Sequence, residues 1–127
     1  MEPLLYLKLE NSTIFWFRRD LRLDDNHGLY RALKESHSVV PIFIYDIDIT
    51  DKIKENDHRL KHIFNSVEKL NLDLKKLNKK IFTFKGKPLE IFKSLIGNNK
   101  ISKVFYNKDY EPYALKRDNS IKNLLIK

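Results

Sequence analysis

A chain of 127 residues with 42% apolar and 33% charged side chains has the size and composition of one ordinary domain, residues 1–127, built around a single core. It contains no cysteine, which excludes disulfide frameworks, thiolate metal sites and thiol nucleophiles, and fits a reducing, cytoplasmic setting. The formal charge of +8 comes mostly from lysines along expected helices in an Asn- and Ile-rich sequence, so it reads as solvated lysine more than as a DNA-binding face, which clusters its charges and uses more Arg.

Residues 1–8 have no basic leader, and Lys8 and Glu10 break the apolar run, so a soluble protein without a signal peptide or membrane span is expected. Residues 13–17 (TIFWF) are apolar on both faces and too short for a helix, which predicts a central parallel strand. Asp24, Asp25 and Asn26 offer capping oxygens, and Leu29, Ala32 and Leu33 give the apolar stripe of a first helix ending at Glu35. Residues 39–45 (VVPIFIY) predict a second strand; Pro41 removes a ladder donor, so full pairing is expected only beyond it. Residues 46–57 are polar and read as a long irregular connection. A long amphipathic helix follows from Asp57 or His58, with Leu60, Ile63, Phe64, Val67, Leu70, Leu74 and Leu77 at three- and four-residue spacing. Residues 81–84 predict a third strand, residues 86–88 a turn, and residues 89–96 a helix that Gly97 ends. Residues 103–106 predict a fourth strand, and a last helix opens near Pro112, carrying Ala114, Leu115, Ile121, Leu124 and Leu125.

Strands alternating with helices give an open parallel sheet with helices on both faces and right-handed crossovers, an α/β architecture of Rossmann or flavodoxin type. The expected strand order is 3-2-1-4, with a fifth strand truncated from beside the fourth.

Two segments are far more specific than the rest. One is Phe-Arg-Arg-Asp-Leu-Arg-Leu-Asp-Asp-Asn at residues 17–26; the other is Tyr-Asn-Lys-Asp-Tyr-Glu-Pro-Tyr at residues 106–113, followed by Arg117 and Asp118. In these the chain resembles the photolyase/cryptochrome family. That family opens with a strand ending in Trp-Phe-Arg-Arg-Asp-Leu-Arg-Leu and an Asp-Asn pair, and has an Asn-x-Asp-x-Glu-Pro-Tyr segment with a downstream Arg-Asp. Residues 40–46, Arg59 and residues 85–88 fall in the matching order, so the resemblance spans about residues 12–127.

Each of these residues also has a plainer reading. Arg22 and Asp20 suit a salt-bridged turn after the first strand, and Asp24, Asp25 and Asn26 suit helix caps. Trp16, inside a strand, reads as core. His58 and His62 lie four apart on a helix but lack the carboxylate motif of a zinc protease, so they read as surface residues. Gly28, Gly86 and Gly97 are isolated and form no phosphate loop.

In a sheet ordered 3-2-1-4, the crevice between the carboxyl ends of the first and fourth strands is the switch point where open α/β sheets bind ligands. Arg18 and Arg19 are expected to face Asn107, Lys108, Asp109 and Glu111 across it, with Asp46 at the neighbouring strand end, and Asp109 is the leading polar contact. The resemblance implies an antenna chromophore there: a deazaflavin, a flavin or a folate. The folate form is disfavoured, because Tyr113 and Ala114 stand where folate-type members carry an Asn-Glu pair.

For the full-length protein, the resemblance implies a DNA photolyase that uses FAD in a carboxy-terminal catalytic domain, absent from this chain, to reverse ultraviolet pyrimidine dimers. Damaged DNA would meet that domain, which would pack on this one. The exposed edge of the fourth strand predicts self-association of the 127-residue chain. A cryptochrome-type blue-light receptor and a free-standing nucleotide-binding module are the alternatives. The second lacks a glycine-rich loop.

Overall fold

The computed structural model describes residues 12–18, 20–24, 26–35, 38–50, 58–98, 101–107 and 112–126. In chain order these form β1 (Ser12–Phe17), α1 (His27–Glu35), β2 (Val39–Asp46), α2 (Ile47–Thr50), α3 (His58–Lys75), β3 (Phe82–Gly86), α4 (Pro88–Asn98), β4 (Ile101–Phe105) and α5 (Pro112–Ile126). All four strands are parallel and ordered β3-β2-β1-β4, as the alternation predicts.

β1 is buried along its whole length, so its alternating side chains feed two separate cores. Phe15 and Phe17 point to one face and pack with Leu29 and Ala32 of α1 and Val67, Leu70 and Leu74 of α3. Ile14 and Trp16 point to the other face and pack with Ile91, Phe92 and Leu95 of α4 and Ile121 of α5. Each fully buried aromatic or large aliphatic side chain contributes about 1.5–3 kcal/mol over its exposed state. The three-layer sandwich follows from that two-sided burial.

Several boundaries differ from the sequence-based expectation, each for a physical reason. Pro41 does not delay pairing with β1, whose register runs from Val39 to Phe43; only the ladder to β3 waits until Ile42. The cost of the missing donor thus falls on the β3 side alone. The polar connection after β2 begins with a helical turn, α2, and residues 51–57 lie outside the described residues. α3 stops at Lys75, short of Leu77, because Asn78 reverses the chain at φ 59°. Gly86 is the last residue of β3, not part of a turn, at φ 156°. Gly97 lies inside α4 and does not end it. Leu33, placed on the apolar stripe of α1, is 41% exposed, while Leu29 and Ala32 carry the contact. No helix among the described residues is long and apolar enough to cross a membrane.

Candidate functional site

The carboxyl ends of β1 and β4 converge through one arginine. Arg18, the first residue after β1, donates its backbone N–H to Asp20 Oδ1 at 2.9 Å. Its guanidinium donates to Asp118 Oδ1 on α5 and to the carbonyl of Asn107 just beyond β4. The same group lies over two rings, 5.1 Å from the centroid of Trp16 and 4.8 Å from that of Tyr106. With its side chain 6% exposed, Arg18 has traded water for two hydrogen bonds, one of them to a carboxylate, and two π faces.

Asn107 ties the other side. Its Oδ1 accepts from the Gly28 N–H at 2.9 Å, and its Nδ2 donates to Asn26 Oδ1 at 2.7 Å and to Asp20 Oδ2. Asn26 in turn accepts from the Leu29 N–H at 3.1 Å, which makes it the N-cap of α1. Gly28 has to be glycine: a Cβ there would stand 2.6 Å from Asn107 Oδ1 and 3.1 Å from the Phe15 ring. The loop after β1, the start of α1 and the exit of β4 are therefore one hydrogen-bonded unit.

Asp46, at the end of β2, is 4% exposed and pairs with Arg117 of α5 at 3.3 Å. The Arg117 guanidinium lies 5.0 Å from the Trp16 centroid, and its Nε is 3.6 Å from Asp118 Oδ1. Two arginines and two aspartates thus form an electrically balanced chain, Asp46–Arg117–Asp118–Arg18, across the ends of β2 and β1 beneath α5. Asp118 Oδ2 is buried and accepts no hydrogen bond among the described residues. Burial, with the Asp118 charge adding to it and Arg18 opposing, raises the Tyr106 phenol above its ordinary pKa. Burial and then Glu68 do the same to Tyr45.

Of the expected site residues, the structure brings together Arg18 and Asn107, and it places Asp46 beside them through Arg117 and Asp118. Arg19, Lys108, Asp109 and Glu111 lie outside the described residues. His58 and His62 are both exposed on α3. Sequence reasoning passed over Arg117 and Asp118 as parts of the site. The signal was there: Asp118 stands three residues after Leu115 and three before Ile121, a charge set into an apolar helical stripe.

The DNA photolyase family matches residues 13–127, which decides the relationship. The chain belongs to the DNA photolyase family. Cryptochrome-1 of Erithacus rubecula is 30% identical over 113 residues, covering 89% of this chain and 18% of its own length. The archaeal photolyase of Sulfolobus tokodaii, solved with two FAD molecules that implied a novel light-harvesting cofactor, superposes with a TM-score of 0.79 at 31% identity. That fit covers 91% of this chain and 27% of the archaeal one. A class III photolyase of Agrobacterium tumefaciens gives a TM-score of 0.77 at 26% identity, covering 92% of this chain and 24% of its own. This photolyase-family chain therefore spans about a fifth to a quarter of the proteins it resembles. Its relatives include both photolyases and cryptochromes.

Proposed function

We propose that this chain is the antenna-chromophore domain of a deoxyribodipyrimidine photolyase, the light-driven enzyme that reverses ultraviolet pyrimidine dimers in DNA. The observation that carries the reading is the convergence of its two most specific segments, through Arg18 and Asn107, at the switch point of the sheet. The likeness to the Sulfolobus tokodaii photolyase, with its two FAD molecules, favours a flavin-type ring among the deazaflavin, flavin and folate candidates.

The residues present fit such a ring in a particular way. Arg18 and Asn107 spend their polar groups on Asp118, Asp20, Asn26 and Gly28, so they fix the shape of the crevice. Asp118 Oδ2 is a buried acceptor suited to a ring N–H. Asp109, Arg19, Lys108 and Glu111, which belong to the same two specific segments of the sequence, are the further polar residues this reading assigns to the ring. When bound, the chromophore absorbs light and passes excitation onward; the chain's own part is to orient the ring and exclude water. FAD and the pocket for a flipped dimer belong to the catalytic domain of the full-length protein, which packs on this one and meets the damaged DNA. A blue-light receptor is the second reading, favoured by the cryptochrome-1 likeness.

The test is to titrate the 127-residue chain with FMN, FAD, a deazaflavin and a reduced folate while following chromophore fluorescence. One equivalent of a flavin-type ring is expected, with binding weakened at least about tenfold by Asp109→Ala, the scale of one lost charge-assisted hydrogen bond. No saturable binding of any of the four would overturn the assignment. The chain alone should remove no dimers under near-ultraviolet light with added FAD and reductant. Repair by the full-length protein would separate photolyase from receptor.

A further inference from the structure

Composition alone reads the lysines as solvated surface, but the net charge is not spread evenly along the chain. Residues 58–108 hold thirteen Lys and Arg against three Asp and Glu, whereas residues 1–57 hold eight against eleven. The concentration is sharpest at residues 74–88, with six lysines and no acid. The fold lays this segment along one edge of the sheet. β3 is an edge strand, and the lysines sit at both of its ends. Lys75 closes α3, Lys76 lies in the turn, Lys79 and Lys80 lead into β3, Lys85 is on β3, and Lys87 lies between β3 and α4.

Five of the six, Lys75, Lys76, Lys80, Lys85 and Lys87, are exposed; Lys79 is half-buried and donates to the Val39 carbonyl at 3.4 Å. The acids nearest in sequence are Asp73, 3.9 Å from Lys76, and Glu90 in the first turn of α4. Lysines on an edge strand block unwanted strand pairing, which accounts for Lys85. A cation at a helix C-terminus is favoured, which accounts for Lys75. Neither reason covers Lys87, which immediately precedes α4, where the helix dipole disfavours a cation. From Lys80 to Lys87 an extended edge reaches about 23 Å at the usual strand rise.

We propose that this lysine-lined β3 edge is a docking ridge for the phosphate backbone of duplex DNA, independent of base sequence. Lysines are point charges with no fork geometry, so they suit a row of phosphates more than paired carboxylates, which arginine binds bidentately. An anionic membrane would also attract these lysines, but stable membrane docking adds an inserted apolar cluster, and of their apolar side chains residues 74–88 expose Leu77 alone, with Phe82 half-buried under the Lys80 ammonium at 5.3 Å. The proposal is independent of the antenna reading, since it uses none of that site's residues.

The experiment follows the anisotropy of a labelled, undamaged DNA duplex of ~20 base pairs with the 127-residue chain between ~50 and ~200 mM salt. Five phosphate contacts predict a slope of log affinity against log salt of about −4.5. A variant with Lys75, Lys76, Lys80, Lys85 and Lys87 all changed to Gln is expected to bind at least about tenfold more weakly, with a slope shallower by about 3 or more. A charge-matched control, with the exposed Lys34, Lys61, Lys93, Lys116 and Lys122 changed to Gln, should stay within about threefold of wild type. Equal weakening of both variants, no duplex binding by wild type at low salt, or tighter binding of phosphatidylserine vesicles through the same lysines each overturns the proposal. Lysine acetylation of the unmodified chain, read by mass spectrometry, checks it without any variant. The duplex should protect the five ridge lysines and leave the control five reactive; uniform protection refutes the ridge.

Discussion

Arg18 and Asp118 have side chains only 6% and 9% exposed, and neither charge is tolerable there without the other. Removing one partner of a buried pair costs about 3–5 kcal/mol, whereas replacing both with apolar groups of similar volume is often nearly neutral. Arg18→Met is therefore expected to destabilise by about 3 kcal/mol, because Asp118 keeps only the more distant Arg117 Nε. Asp118→Leu should cost a similar amount, and the double variant clearly less than the sum. Denaturant midpoints of the four proteins measure the coupling; strictly additive losses would show that the pair does not act as a unit. Tyr106 gives a pH signature at the same spot. Its folded pKa lies above the ordinary 10.0, so the folded state holds its proton longer than the unfolded state does. The resulting stability is complete below 10.0 and is lost as pH rises through the folded value. Tyr106→Phe should accordingly lose less stability than wild type over that alkaline window, with a constant difference at lower pH. Parallel curves throughout would mean that burial does not hold the phenol protonated.

Among the elements, two glycines in helices should respond to alanine with opposite signs. Gly28→Ala forces a methyl against Asn107 and Phe15, an overpacking that costs about 1–3 kcal/mol and outweighs the gain in helix propensity. Gly97→Ala in α4 meets nothing within 4 Å, so it should stabilise by about 0.5 kcal/mol. Thermal melts of both variants read the signs, and a stabilising Gly28→Ala would refute the close approach of Asn107. These positions also mark where local sequence is informative. The strands were legible because β1 and β2 are apolar on both faces, a pattern only a doubly covered sheet satisfies. The cap of α1 was legible to within Asp24, Asp25 and Asn26, because short side chains with an oxygen gather where a helix opens, and Asn26 is the one that takes the Leu29 N–H. Gly97 was misread because a glycine near a helix end has the same local appearance whether it stops the helix or rides in it. The roles of Arg117 and Asp118 were hidden because their partners, Asp46 and Arg18, are 71 and 100 residues away.

At the scale of the molecule, the strand order was readable because right-handed crossovers leave few ways to arrange four parallel strands with helices on both faces. That order places β1 between β2 and β4, and it brings Trp16 to the meeting point of the sheet with α4 and α5. Trp16 is the only tryptophan in the chain and is 2% exposed. Phe92 packs edge-on at 5.1 Å and Tyr106 at 5.7 Å, and both buried guanidiniums lie within about 5 Å of its ring. The protein thus carries a native optical reporter where a strand, two helices and the ionic chain all touch. Its emission senses the release of α5, whereas far-ultraviolet circular dichroism senses the backbone as a whole. In a single cooperative unit the two signals share a midpoint in denaturant. Emission that moves first would reveal α5 lifting away while the sheet stays intact, a partial opening with its own free energy.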